Sequence, residues 1–146
     1  TSTAWDIGTT VSAAGFGATA YYGEGKGLGT AVQFNGAYDQ AGNKRDSKDW
    51  YVQGTYTLPA VGTKLGVSYG ESKLEGNGTG DTTLAANNLE DSMWTVGVYH
   101  PITKHLNLVA EYSESERDVN DATGGSADVS AKAKAKTVSL GAILFF

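Results

Sequence analysis

The chain has 146 residues, 20 of them glycine and 8 tyrosine, with no cysteine, only 2 prolines and a formal net charge of −5. That length holds one domain, no stretch approaches the ~18 apolar residues of a spanning helix, the acidic balance argues against a nucleic-acid partner, and the missing thiols exclude disulfides and thiolate metal sites. Membrane-crossing strands stay allowed, because alternation with polar residues dilutes their apolar signal by half.

The chain starts at Thr1 with no signal-like apolar segment, as a mature product or a piece of something longer would. Nowhere does an apolar period of 3.6 residues hold for three turns, whereas a period of two recurs from end to end. "WDIGTTV" sets Trp5, Ile7, Thr9 and Val11 against Asp6, Gly8 and Thr10. "GFGATAYYG" follows after the short "AAG" (13–15), with Phe16, Ala18, Ala20 and Tyr22 opposing Gly17, Thr19 and Tyr21. A long connection over 24–48 comes next, and within it "AVQFNGAY" (31–38) also alternates. "DWYVQGTYTL" and "TKLGVSYG" flank the short "PAVG" (59–62). They align Trp50, Val52, Gly54, Tyr56 and Leu58 on one side, then Leu65, Val67 and Tyr69. After a long connection (74–91), "MWTVGVYH" and "HLNLVAEYS" flank the short "PITK" (101–104). Past a last long connection (118–131), "TVSLGAILFF" closes the chain with Val138, Leu140, Ala142, Leu144 and Phe146 on one side.

A soluble barrel would carry charge on its outer face. Here the non-apolar face is mostly Gly, Ser, Thr, Gln and Asn, and little charge sits mid-strand. The apolar face bears aromatics near its ends, Trp50, Tyr69, Trp94 and Tyr112 at one end with Phe16 and Phe146 at the other, as the two interface girdles of an outer-membrane barrel do. Strict alternation of short and long connections puts the short ones in the periplasm. The reading is therefore an all-β, transmembrane, antiparallel up-and-down β-barrel of seven or eight strands, one region over 1–146. Seven is odd, and a seven-stranded sheet with bare edges cannot stay in lipid. Either 31–38 is an eighth strand and the barrel closes on itself, or the chain is the C-terminal part of a larger barrel, which is the expectation taken forward.

"WDIGTTVSAAGFGATAYYGEGKGLGT", "KRDSKDWYVQGTYTLPAVGTKLGVSYGES" and "TVSLGAILFF" resemble the C-terminal portion of Gram-negative general porins, the trimeric sixteen-stranded diffusion channels. The likeness runs over most of the chain and is most specific in the YVQGTYT…TKLGVSYG hairpin. It implies an outer-membrane channel for passive diffusion of ions and small hydrophilic solutes, a homotrimer in lipid and lipopolysaccharide, no enzyme and no cofactor. It also implies a terminal Phe read by the barrel-assembly machinery. Leu144 stands where that signal commonly has an aromatic. The inward-folded constriction loop of the first half of a porin has no counterpart in this sequence.

The predicted lumen-facing groups are Asp6, Tyr21, Tyr51, Gln53, Lys64, Asn107, Glu111 and Arg117, which would line a channel and bias its solutes, or plug the lumen of a small closed barrel. Lys132, Lys134 and Lys136 continue the outward face beyond the apolar band, where they could contact lipopolysaccharide phosphates or simply form a solvated rim. Glu71, Glu75, Asp81, Glu90, Asp91, Glu114, Glu116, Asp118, Asp121 and Asp128 crowd toward loop ends and read as solvated loop charge, with no EF-hand spacing and no metal site. "GEGKGLG" lacks the Ser or Thr and the helix of a phosphate loop and reads as a flexible loop. His100 and His105 flank a short turn with no third ligand nearby, the sequon at Asn77 means little in a bacterial barrel, and no nucleophile elbow is present.

Overall fold

The computed structural model describes residues 1–29, 37–38, 42–76, 88–121 and 129–146. Its elements are seven strands, β1 (Thr3–Ala13), β2 (Phe16–Lys26), β3 (Asp46–Thr57), β4 (Lys64–Glu75), β5 (Asn88–Pro101), β6 (Leu106–Asp121) and β7 (Val129–Leu144). They form one antiparallel sheet in chain order, each strand beside its sequence neighbours. One line of partners runs Thr9, Ala20, Val52, Tyr69 and Trp94, so the alternation of each strand is carried in phase into the next. Ala14 and Gly15 join β1 to β2 at φ 51° and 85°, the left-handed pair whose twist suits a two-residue hairpin.

Charged flanks that read as loop belong to the strands. The connections expected over 24–48, 74–91 and 118–131 begin later and end earlier, because β2, β4 and β6 run on to Lys26, Glu75 and Asp121. Cross-strand ion pairs accompany the extended ladder: Lys26 with Asp46 at 3.3 Å, Lys48 with Glu75 at 3.2 Å, Lys73 with Glu90 at 3.3 Å. Opposite charges facing each other across strands favour pairing. Glu71, Glu75, Glu90, Asp91, Glu114, Glu116 and Asp118 are therefore strand residues with cationic partners, not loop charge. Gly23 and Gly25 of "GEGKGLG" likewise lie inside β2, and all four of its glycines are buried, which overturns the flexible-loop reading. The stretch 31–38, an eighth strand in the alternative reading, falls outside the described residues except for Ala37 and Tyr38, the latter bridged antiparallel to Lys44. Asn77, Asp81 and Asp128 also lie outside them.

The sheet has no second layer to hide its apolar side. Among the described residues Leu74 is the buried large hydrophobe, whereas Val11, Val52, Val67, Val96, Leu108 and Leu140 stand exposed on one face. Such a surface is unstable in water and suited to hydrocarbon. β1 and β7 do not touch, so the sheet is open along both edges among the described residues.

Candidate functional site: a two-faced wall

Register sorts the side chains. On the apolar face, each hairpin made by a short turn carries a Trp on its first strand and a Tyr on its second, in diagonal ring contact. Trp5 meets Tyr22 at 5.6 Å, Trp50 meets Tyr69 at 5.4 Å and Trp94 meets Tyr112 at 5.2 Å, with interplanar angles of 48°, 49° and 52°. The four aromatics expected at this end are thus one row, which Trp5 and Tyr22 extend across six strands. The repeat was visible in the spacing of Trp and Tyr, but only pairing shows that it is continuous. At β7 the row stops, with Val138 opposite Tyr112.

The direction of the row is informative. Tyr22 is level with Ile7, two residues below Trp5 toward the short turns, and level with Trp50. Tyr69 is level with Val52, two below Trp50, and with Trp94, while Tyr112 is level with Val96, two below Trp94. Six residues of descent over five strand-to-strand steps, at ~3.3 Å per residue and ~4.8 Å between strands, give a slope of about 40°. Strands of transmembrane barrels tilt by ~35–45°. A row inclined to the ladder by that angle is horizontal once the strands are tilted in a bilayer. Trp94→Ala removes one of the three ring pairs, which contribute ~0.5–1.5 kcal/mol beyond their buried area; urea titration of folding into vesicles should show a loss larger than that, because the indole's burial goes too, with Trp94→Phe retaining most of the stability.

Above the row, outside the apolar band, lies a belt of mixed charge. The hydroxyls of Tyr22 and Tyr112 donate upward to Glu24 and Glu114. Lys132 pairs with Glu116 and with Asp118 (3.4 Å), Lys134 with Glu116 (2.7 Å), and Lys136 with Glu114 (3.7 Å). The hydrogen bonds from Lys132 and Lys134 hold the Glu116 carboxyl below its usual range. The three lysines expected as a bare basic row are therefore one half of a lattice, although each side chain remains more than half exposed. At the opposite end Phe16 packs on Tyr56 at 4.2 Å. Phe146 lies beyond β7 and is fully exposed, while the amide of Phe145 donates to the carbonyl of His105 at 2.8 Å.

On the other face stand Asp6, Tyr21, Tyr51, Gln53, Lys64, Asn107, Glu111 and Arg117, all in one phase of the register. Tyr21 stacks on Tyr51 at 5.4 Å and 21°, and its hydroxyl donates to Asp6 at 3.5 Å. Arg117 grips Asp91 with two parallel bonds of 2.6 and 2.8 Å, the fork-on-carboxylate geometry that makes such pairs strong. Lys64 and Asn107 stand apart, near the short-turn end. Three further polar groups of this face were not among the predicted lumenal ones: Asp49, which accepts from Ser72; Asp91, which read as loop charge; and Tyr99, which donates to Glu111. Alternation in "MWTVGVYH" puts Tyr99 on the side away from Trp94, Val96 and Val98, but nothing local marks a Tyr diagonal to a Glu on the next strand.

Tyrosines here lie flat over glycines. A Cβ on Gly23 would fall 2.9 Å from the hydroxyl of Tyr21 and 3.3 Å from its Cζ, and one on Gly97 would fall 3.0–3.2 Å from the ring and hydroxyl of Tyr99. The polar face is thereby kept low. Among the described residues no group of acidic and histidine side chains is placed to hold a metal.

An apolar face with a tilted aromatic row, backed by a polar face with scattered charges, is the cross-section of a barrel wall in a membrane. The family model described as Gram-negative porin matches residues 1–122. The chain belongs to the Gram-negative porin family. No curated protein and no solved structure matches it. This porin is an outer-membrane β-barrel protein, and its seven strands are the antiparallel up-and-down wall that the alternation in its sequence predicts.

Proposed function

We propose that this porin contributes the C-terminal seven strands to a water-filled channel through which ions and small hydrophilic solutes diffuse across the outer membrane. The observation that carries the reading is the pairing of an apolar face with a low, polar one on a sheet whose two edges are open. Open edges cannot face hydrocarbon, where each unpaired backbone group costs several kcal/mol, so further strands complete the wall. Asp6, Tyr21, Tyr51, Gln53, Lys64, Asn107, Glu111 and Arg117 then line the lumen, and fixed charges along a pore bias what passes. The aromatic row marks the outer membrane interface, Phe16 belongs to the inner one, and Phe146 is the element the assembly machinery reads. The belt of Lys132, Lys134 and Lys136 with Glu114 and Glu116 offers both signs of charge to lipopolysaccharide and its bridging cations. Trimerisation follows from the family likeness.

The test is conductance of the protein extracted from outer membranes, in a planar bilayer, with solute-dependent swelling of proteoliposomes as a second readout. Stepwise, ohmic channels and size-limited swelling are expected. Folded, heat-modifiable protein that conducts nothing would mean a small barrel with a filled lumen, acting in adhesion, membrane stabilisation or partner binding.

A further inference from the structure

Two lines of the register cross the polar face of β1–β4 near the level of the aromatic row. On the upper line, Asp6 of β1 and Asp49 of β3 lie on either side of Gly23 of β2, so a position without a side chain separates two carboxylates. Two residues toward the short turns, the lower line runs Gly8, Tyr21, Tyr51 and Gly70, and glycine bounds the tyrosine pair on both sides. Asp6 follows Trp5 and Asp49 precedes Trp50, which sets the group at the height of the outer interface.

The carboxylates of the upper line differ in their surroundings. Asp49 accepts from Ser72, and Asp91, farther along, is gripped by Arg117. Among the described residues Asp6 accepts only the hydroxyl of Tyr21, at 3.5 Å, and no lysine or arginine pairs with it. It stands exposed on the face.

The rings beside it are accessible too. Tyr21 and Tyr51 stack at 5.4 Å and 21°, and Tyr51 is 39% exposed. A Cβ built on Gly8 would lie 3.6 Å from Cδ2 of Tyr21, so a side chain there would cover a ring that glycine leaves open. A carboxylate without a cation next to open aromatic faces is the chemistry that holds an alkylated ammonium. The carboxylate supplies the counter-charge, and the negative ring faces attract a cation whose weak hydration lets it come close. A potassium ion keeps its water and gains from the charge alone, and a neutral sugar gains nothing from the charge.

We propose that Asp6 with the Tyr21–Tyr51 pair forms a binding station for organic ammonium cations at the outer entrance of the channel. This rests on the reading of the polar face as lumen.

The test is the potassium current through the whole protein, as purified from outer membranes, in a planar bilayer with tetraethylammonium as the probe. Tetraethylammonium should lower that current beyond the change in bulk conductivity. Its half-effect concentration should rise ~3-fold or more in Asp6→Asn and in Tyr51→Leu, since each removes one of the two attractions. Glucose at matched concentration should act only through the bulk solution. Tyr21→Leu takes the place of Tyr51→Leu if the latter loses heat-modifiable migration. Tetraethylammonium without effect on the unaltered channel, or with an unchanged half-effect concentration in folded Asp6→Asn, overturns the inference. A response of Asp6→Asn with none in the tyrosine variant reduces the station to a fixed charge and overturns it as well. A glucose effect that disappears in the tyrosine variant would assign the rings to sugars instead. Absence of any potassium current in the unaltered protein would overturn the channel reading itself, so the two failures are distinct.

Discussion

Val67→Arg should destabilise the inserted barrel by ~2–4 kcal/mol, while Ser68→Arg, its immediate neighbour, should leave its stability nearly unchanged. Val67 projects from the apolar face midway between Tyr69 and Leu65, level with Gly54 and Val96, and is 54% exposed. Its environment in the membrane is hydrocarbon, where an arginine at mid-depth costs ~2–4 kcal/mol, a large share of the ~5–15 kcal/mol that holds a protein folded. Ser68 projects from the opposite face, level with Gln53 and Thr95. A charge there meets water and fixed polar groups, and it should alter ion selectivity instead of stability. Refolding of the protein, as purified from outer membranes, into vesicles at graded urea concentrations, followed by the shift in electrophoretic mobility on heating, reads the first outcome. Reversal potential in a salt gradient reads the second. Equal tolerance of the two substitutions would remove the assignment of faces.

Residues 1–146, refolded alone, should fail to give a closed, heat-modifiable monomer. β1 carries 11 residues and β7 carries 16, both exposed along an unpaired edge. Roughly every second backbone N–H and C=O of an edge strand points outward, and several kcal/mol for each such group in hydrocarbon exceeds any stability the chain can supply. The chain should aggregate, associate edge to edge, or fold only beside the strands that complete its wall. The chain has no cysteine, so Val11→Cys with Leu140→Cys gives an unambiguous readout. In a self-closed barrel the two positions, each in the apolar band of an edge strand, come within reach of an oxidative or short bifunctional cross-link inside one monomer. Intact mass and gel mobility distinguish that product from cross-linked pairs of chains. An intramolecular cross-link in a monomer that survives protease would show closure at the strands this chain contains.

Much of the wall was legible residue by residue because a strand encodes its two faces locally. Tyr51 and Gln53 fall on one side and Trp50 and Val52 on the other by counting alone, and all eight groups expected on the polar face share it. The errors came where charge replaced alternation as the cue. Glu90 and Glu116 read as loop because isolated charges favour water, whereas in place each faces an opposite charge across the ladder and extends the strand. "GEGKGLG" read as flexible because glycine permits any backbone. Its actual use at Gly25 is to leave room for the Leu28 side chain.

What the sequence by itself determined is the period of two, the character of each face and the short turns, since these depend on neighbours one to four residues apart, and the likeness to porins, which its longer stretches carry. Only the tertiary structure decided the register. It turned isolated Trp and Tyr residues into one row inclined at about 40°, joined Arg117 to Asp91 across strands 26 residues apart in sequence, and laid Leu28 over Gly25. The physical reason is that pairing register is a property of two strands together. A slip of one residue would exchange every face, and the choice among registers is made by cross-strand packing and charge pairs that no single segment contains.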